Sequence, residues 1–187
     1  MALIFSDAGV PLMVEAGPGL RYETVVPNVG AIDMLCRCAS DILSALEYLH
    51  CDAGIVHRDV KPDNILYSNG MFTLSDFGSA RVCPAGRLRE SPATVGFFPP
   101  EICSVDAPNE HSGFKADLWA MGLVLFACCT GALPYSISNT KDYVEVVDAI
   151  AAWSIQDDSL EEVPVQLHSL LQRLLNRSPE ERLYLTS

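Results

Sequence analysis

The sequence predicts a mainly α fold, α+β overall, in one domain. Three observations carry this. Residues 118–129 are apolar on every side, the mark of a helix buried all round. Apolar residues recur at helical spacing over 33–51, 140–153 and 164–176. Two short apolar runs, 65–67 and 72–74, are separated by Ser68-Asn69-Gly70, and Asn-Gly between such runs signals a tight β-hairpin. A chain of 187 residues is long enough to bury a substantial core.

Taken in order, residues 1–14 open with an apolar run that breaks at Ser6-Asp7-Ala8-Gly9, a strand followed by a turn. Residues 15–30 are rich in Gly, Pro and Val and read as a loop. In Gly17-Pro18-Gly19 the proline removes an amide that a phosphate cradle would use. A helix begins near Asp33, an N-cap or first-turn acid, and buries Leu35, Cys38, Ile42, Leu46 and Leu49. It ends near 51–54, where Gly54 accepts a positive φ. Residues 79–101, SARVCPAGRLRESPATVGFFPPE, are polar, proline-containing and aperiodic, and a loop this long inside a domain is functional or mobile. A polar connection, 102–114, leads to the buried helix, which Gly131 and Pro134 stop. The helix at 140–153 turns Tyr143, Val146, Val147 and Ile150 to one face. The acidic stretch 157–162 is a solvated loop, and the helix at 164–176 points Leu167, Leu170, Leu171 and Leu174 inward.

The net charge of −12 argues against nucleic acid or an anionic membrane as the main partner. A basic peptide stays open as a partner, although solubility alone accounts for the charge. Seven cysteines, an odd number with no Cys-x-x-Cys, favour free thiols in a reducing compartment: the cytoplasm, with the nucleus open. Cys36-x-Cys38 with His50-Cys51 hints at metal ligation, but residues two apart on a helix face different sides. The first basic residue is Arg21, so no secretory leader is expected, and a twelve-residue apolar run is too short to span a bilayer.

The chemistry concentrates in residues 55–78, IVHRDVKPDNILYSNGMFTLSDFG. The hairpin would fold Asp76 back beside Asp59 and Asn64, so that two acids and an amide converge where a metal and a hydroxyl meet. That set suits phosphoryl transfer, in which positioning and charge stabilisation supply most of the catalysis.

HRDVKPDN followed by DFG resembles the catalytic and magnesium loops of eukaryotic protein kinases. The resemblance implies that Asp59 accepts the substrate hydroxyl proton and that Lys61, typical of serine/threonine kinases, steadies the transferred phosphate. It implies ATP and Mg2+ as cofactors, with Asn64 and Asp76 holding two magnesium ions. Adenine would meet the backbone of Phe5, Ser6, Asp7 and Ala8, and Leu66 joins the nucleotide-binding residues. Residues 76–101 correspond to the activation segment. Its end, ATVGFFPPE (93–101), follows the family's Gly-Thr-x-Gly-Tyr-x-Ala-Pro-Glu without a gap, with departures at Ala93 and Pro99. Thr94 would hydrogen-bond Asp59 and Lys61. Asp117, Trp119 and Gly122 match D-x-W-x-x-G, with Asp117 holding the His57-Arg58 backbone and His57 a core histidine. Arg182 would pair with Glu101.

Arg58 is a potential phosphate receptor, and Ser91 is the best-placed hydroxyl for an upstream activating kinase; the other reading of Ser91 is an ordinary loop serine before Pro92. Asp63 either favours a basic residue in the substrate or caps its loop. The stretch SGFKADLWAMG is similar to calcium/calmodulin-dependent kinase kinases. The resemblance covers nearly the whole chain but only the family's larger lobe. Residues 1–187 thus read as a partial kinase domain, hinge through large lobe, with the N-lobe absent or nearly so and the family's last helix not reached. The expected activity is ATP-dependent serine/threonine protein phosphorylation, the chain being a truncated domain that is inactive alone. The alternative is an inactive large-lobe fragment acting as a protein-binding or decoy module. Expected partners are a protein substrate, ATP and an upstream kinase, with no nucleic acid and no membrane.

Overall fold

The computed structural model describes residues 4–5, 11–13, 29–103, 109–135 and 143–185. β1 (Ile4–Phe5) and β2 (Pro11–Met13) form an antiparallel pair that precedes α1 (Val29–Glu47). The chain then runs through β3 (Ile55–Val56), β4 (Ile65–Ser68), β5 (Met71–Leu74), β6 (Arg81–Val82), β7 (Arg87–Leu88) and β8 (His111–Ser112). α2 (Gly113–Thr130), α3 (Tyr143–Ala152) and α4 (Val165–Leu174) complete it. Among the described residues helices build the core and the strands form only two-stranded ladders, so the fold is mainly α and kinase-like.

α2 is the axis. It starts earlier than its apolar run suggests, because Ser112 caps it: the Ser112 hydroxyl accepts from the Lys115 amide at 3.3 Å. It ends at Gly131, whose N–H returns to the Ala127 carbonyl at 2.8 Å. By length and composition α2 could cross a membrane, yet 83% of it is buried inside the domain. α1 and α4 pack against it. At Gly122 a Cβ would sit 2.8 Å from Leu175 and 2.9 Å from Leu174, so the glycine is what admits the end of α4 to this contact.

α1 begins four residues before Asp33, which is exposed and lies inside the helix rather than at its cap. The helix runs through Gly30, which propensity alone reads as a breaker. Cys36 and Cys38 do face different sides, one exposed and one buried. Beyond Glu47 the helix widens into a π-turn, Tyr48–Asp52, closed by the Ala53 amide on the Tyr48 carbonyl at 3.0 Å. The β4–β5 hairpin has Ser68 opposite Met71, which leaves a two-residue turn. Asn69 and Gly70 take φ of 52° and 78°, the pair of left-handed residues that a type I′ turn requires.

The long stretch 79–101 is more ordered than its composition suggests. β6 pairs with β3, and β7 pairs with β8. Ladders of two residues carry no alternation that a sequence pattern can register. Two burial assignments also change. Tyr143 is exposed, because the first residue of α3 projects beyond the face that Val146 and Ile150 bury. The acidic loop at 157–162 is not wholly solvated, since Leu160 is buried.

One ion pair closes the domain. Arg182 Nη1 and Nη2 donate to the two Glu101 carboxylate oxygens, each at 2.8 Å. The Arg182 side chain is 0% exposed, its Nε donates to the Asn176 carbonyl, and its guanidinium lies 4.9 Å from the Trp119 ring centroid. Breaking a buried pair strands a charge. Glu101→Gln, which preserves volume, is therefore expected to cost roughly 3 kcal/mol in urea unfolding; an unchanged midpoint would contradict this.

Candidate active site

The site is built on a strained turn. Arg58 has φ 71°, a conformation costly for a residue with a side chain, and Asp117 holds it there. The Asp117 carboxylate accepts from the His57 amide at 2.8 Å, the Arg58 amide at 2.8 Å and His50 Nε2 at 2.9 Å. His50 is in turn stacked on Phe114 at 4.4 Å.

The turn delivers Asp59 into a ring of donors. Its Oδ1 accepts from the Thr94 hydroxyl at 2.6 Å, and its Oδ2 from Asn64 Nδ2 at 3.0 Å and Lys61 Nζ at 2.9 Å. Lys61 Nζ also donates to the Thr94 hydroxyl at 3.3 Å, so four side chains form one network. Burial pushes the Asp59 carboxyl up, but the hydrogen bonds from Thr94, Lys61 and Asn64 and the Lys61 charge outweigh it and hold the group below its ordinary value. The result is a carboxylate that is charged at neutral pH and a weak base.

Asp76 comes to this network through Ser75. The Ser75 amide and hydroxyl both donate to the Asn64 carbonyl, at 2.8 and 2.9 Å. His57 Nε2 bonds the Ser75 carbonyl at 3.0 Å, while its Nδ1 accepts from the Asp59 amide at 3.3 Å. One neutral imidazole tautomer satisfies both bonds, so a buried histidine ties the Asp59 loop to the Asp76 loop. Asp76 itself is left-handed (φ 57°), with its side chain accepting from the Gly78 amide at 3.1 Å. Asn64 Nδ2 is committed to Asp59, which leaves the amide oxygen for a cation. The donors are therefore a carboxylate and an amide oxygen, hard ligands that fit Mg2+, an ion that takes one or two protein oxygens and fills its shell with phosphate and water. Among the described residues no group of three or more His, Cys, Asp or Glu side chains encloses a metal by itself.

Sequence comparisons bear on this geometry. The protein kinase domain family matches residues 17–187. The chain belongs to the protein kinase family. It is 35% identical over 155 residues to the serine/threonine-protein kinase ssp1 of Schizosaccharomyces pombe, covering 78% of this chain and 23% of that one. It is 31% identical to the serine/threonine-protein kinase TOS3 of Saccharomyces cerevisiae, covering 89% and 33%. It is 35% identical to the calcium/calmodulin-dependent protein kinase kinase cmkC of Emericella nidulans, covering 81% and 29%. The chain thus spans about a quarter to a third of the length of these kinases.

The other sequence-derived residues of this kinase chain fall as follows. Leu66 is half-exposed on β4, with β1 alongside. The backbone of Phe5 lies in β1, while Ser6, Asp7 and Ala8 lie outside the described residues. Ser91 is exposed and gives its carbonyl, rather than its hydroxyl, to Arg58 Nη2 at 2.8 Å. Sequence reasoning missed Ser75, whose only signal was a polar residue closing an apolar strand. It also missed that Phe97 stands where the family motif carries tyrosine, a third departure beside Ala93 and Pro99. A phenol reaches this loop from elsewhere: Tyr135 donates to the Gly96 carbonyl at 2.8 Å, fully inside the core.

The lowered Asp59 value has a sign. A carboxyl held below its unfolded value of about 4 stabilises the fold above that pH, and the contribution is lost as pH falls through the folded value. Asp59→Asn is expected to unfold more easily than wild type at about pH 7, with the gap closing by about pH 3. Urea titrations across that range test it; equal stability at the upper end would contradict it.

Proposed function

We propose that this chain supplies the catalytic lobe of an ATP-dependent serine/threonine protein kinase that transfers the γ-phosphate of ATP to a protein hydroxyl. In this reading residues 1–187 run from hinge through large lobe, with 76–101 the activation segment. The observation that carries it is the Asp59 network: a charged, weakly basic carboxylate whose orientation Thr94, Lys61 and Asn64 fix. Asp59 aligns the substrate hydroxyl and accepts its proton as transfer proceeds. Lys61 keeps an ammonium beside that carboxylate, next to the oxygens of the transferred group. Asn64 and Asp76 would hold Mg2+, which supplies charge neutralisation to the phosphate oxygens when bound. The half-exposed Leu66 offers an apolar face to the base, beside the backbone of β1. Among the described residues the seven cysteines form no disulfide, which suits a reducing compartment, and the proposed location is the cytoplasm.

Leu66 on β4 and Phe77, the residue after Asp76, are 51% and 49% exposed. These exposed apolar side chains favour a second reading for the 187 residues taken alone: a protein-binding module without turnover. The two readings separate in one experiment. The purified chain, given ATP, Mg2+ and a mixed serine/threonine peptide pool, is expected to transfer no phosphate. Fused behind the small lobe of the ssp1 kinase, it is expected to gain transfer that Asp59→Asn abolishes. A silent fusion that still folds would overturn the kinase reading, and robust transfer by the chain alone would remove the second one.

A further inference from the structure

A cleft of about 450 Å³ opens where the end of α1, the turn after β6, the first residues of α2 and the stretch after α4 meet. That volume is enough for a small molecule, and none of the catalytic side chains lines it. One wall is a charge without a counter-ion. Lys115 is 9% exposed, and its Nζ donates to the Arg182 carbonyl at 2.6 Å and to the Leu183 carbonyl at 3.2 Å. The third N–H has only the face of Tyr184, whose ring centroid is 5.0 Å away. Among the described residues no carboxylate lies within 4.0 Å of this nitrogen. Burial, joined by the Arg182 charge, pushes the ammonium below its ordinary value, and Glu180 opposes this only at longer range. Carbonyl oxygens solvate an ammonium without neutralising it, so the charge stays short of compensation. The remaining walls are flat or apolar: Phe114, which stacks on His50 at 4.4 Å, the Tyr184 ring and Leu118. Cys51 lines the rim as an exposed thiol, with its Sγ donating to the Leu185 carbonyl at 3.5 Å.

We propose that this cleft is a binding site for a small aromatic carboxylic acid, whose carboxylate pairs with Lys115 Nζ and whose flat ring lies against Phe114 and Tyr184. The anion is selected over a neutral molecule of the same shape because only the anion supplies the missing counter-charge. An uncharged apolar ligand leaves Lys115 unpaired, and a bare inorganic anion leaves the aromatic walls in water. The bound acid would also touch His50, whose Nε2 bonds Asp117, so the site sits one hydrogen bond behind the turn that carries Asp59. Binding here is independent of phosphoryl transfer, and failure of one leaves the other standing.

The test uses the whole chain with 2-naphthoate as the probe and 2-naphthamide as its neutral match, followed through the NMR methyl signals of Leu118 and Leu185. Naphthoate is expected to bind saturably and at least about tenfold more tightly than naphthamide, the scale of one hydrogen bond to a charged group. At about twice its Kd it is expected to slow iodoacetamide alkylation of Cys51 about threefold by mass action. Cys36, exposed on α1 outside the cleft, is expected to react at an unchanged rate. Lys115→Met keeps the length of the side chain, removes the charge and is expected to erase the preference for the acid. Tyr184 is 64% exposed, so Tyr184→Ala spares the core; it is expected to weaken acid and amide alike. If Lys115→Met does not fold, the wild-type preference, the Cys51 protection and the Tyr184→Ala loss decide the matter. Absence of saturable binding, equal binding of acid and amide, an unprotected Cys51, a folded Lys115→Met that keeps the preference, or unchanged binding in Tyr184→Ala would each overturn the proposal.

Discussion

A carboxylate at 2% exposure inside a largely apolar helix is costly unless both of its oxygens are hydrogen-bonded. Asp117 meets that condition with the amides of His57 and Arg58 and the ring of His50. Satisfying it has a structural consequence. The two amides belong to a turn in which Arg58 sits at a φ that its side chain disfavours, and the buried charge compels the turn to stay there. The dependence is mutual: the turn satisfies the aspartate, and the aspartate enforces the turn.

Everything at the site hangs from that turn. Asp59 follows it directly and is surrounded by donors from its own loop, Asn64 and Lys61, and from the far end of the 79–101 stretch, Thr94. His57 reaches across to Ser75 and brings the Asp76 loop into line. Arg58 turns outward and gathers Ser79, Glu90 and Ser91. Three consecutive residues thus address three different segments, which is why a short motif organises a domain. The price of this arrangement is borne by α2, whose apolar packing is what keeps Asp117 dry and rigid.

Much of this was legible in the sequence because it rests on local chemistry. Asn69-Gly70 specified the hairpin turn, and the uniform apolar run specified the buried helix. What escaped was long-range or too short to be periodic. α1 starts at Val29, four residues before Asp33, and runs through Gly30, which no local signal announces. The β6 and β7 ladders are two residues long. The Glu90 contact depends on where Arg58 and Arg81 meet in space, which no local pattern around Glu90 encodes. The Tyr135 bond to Gly96 joins residues 39 apart, a separation that no motif encodes.

The central claim is that Asp117, from inside α2, holds the turn that places Asp59 among its donors. It is tested most directly by a carbon NMR titration of the Asp59 carboxyl in wild type and in Asp117→Asn, which keeps the volume but cannot accept as a charged pair of oxygens. Wild type is expected to titrate below the ordinary carboxylate value, held there by Thr94, Lys61 and Asn64 against the opposing effect of burial. In Asp117→Asn the turn should relax, the donors should lose their register, and Asp59 should move back toward about 4. An Asp59 titration identical in the two proteins, with the variant still folded, would contradict the account.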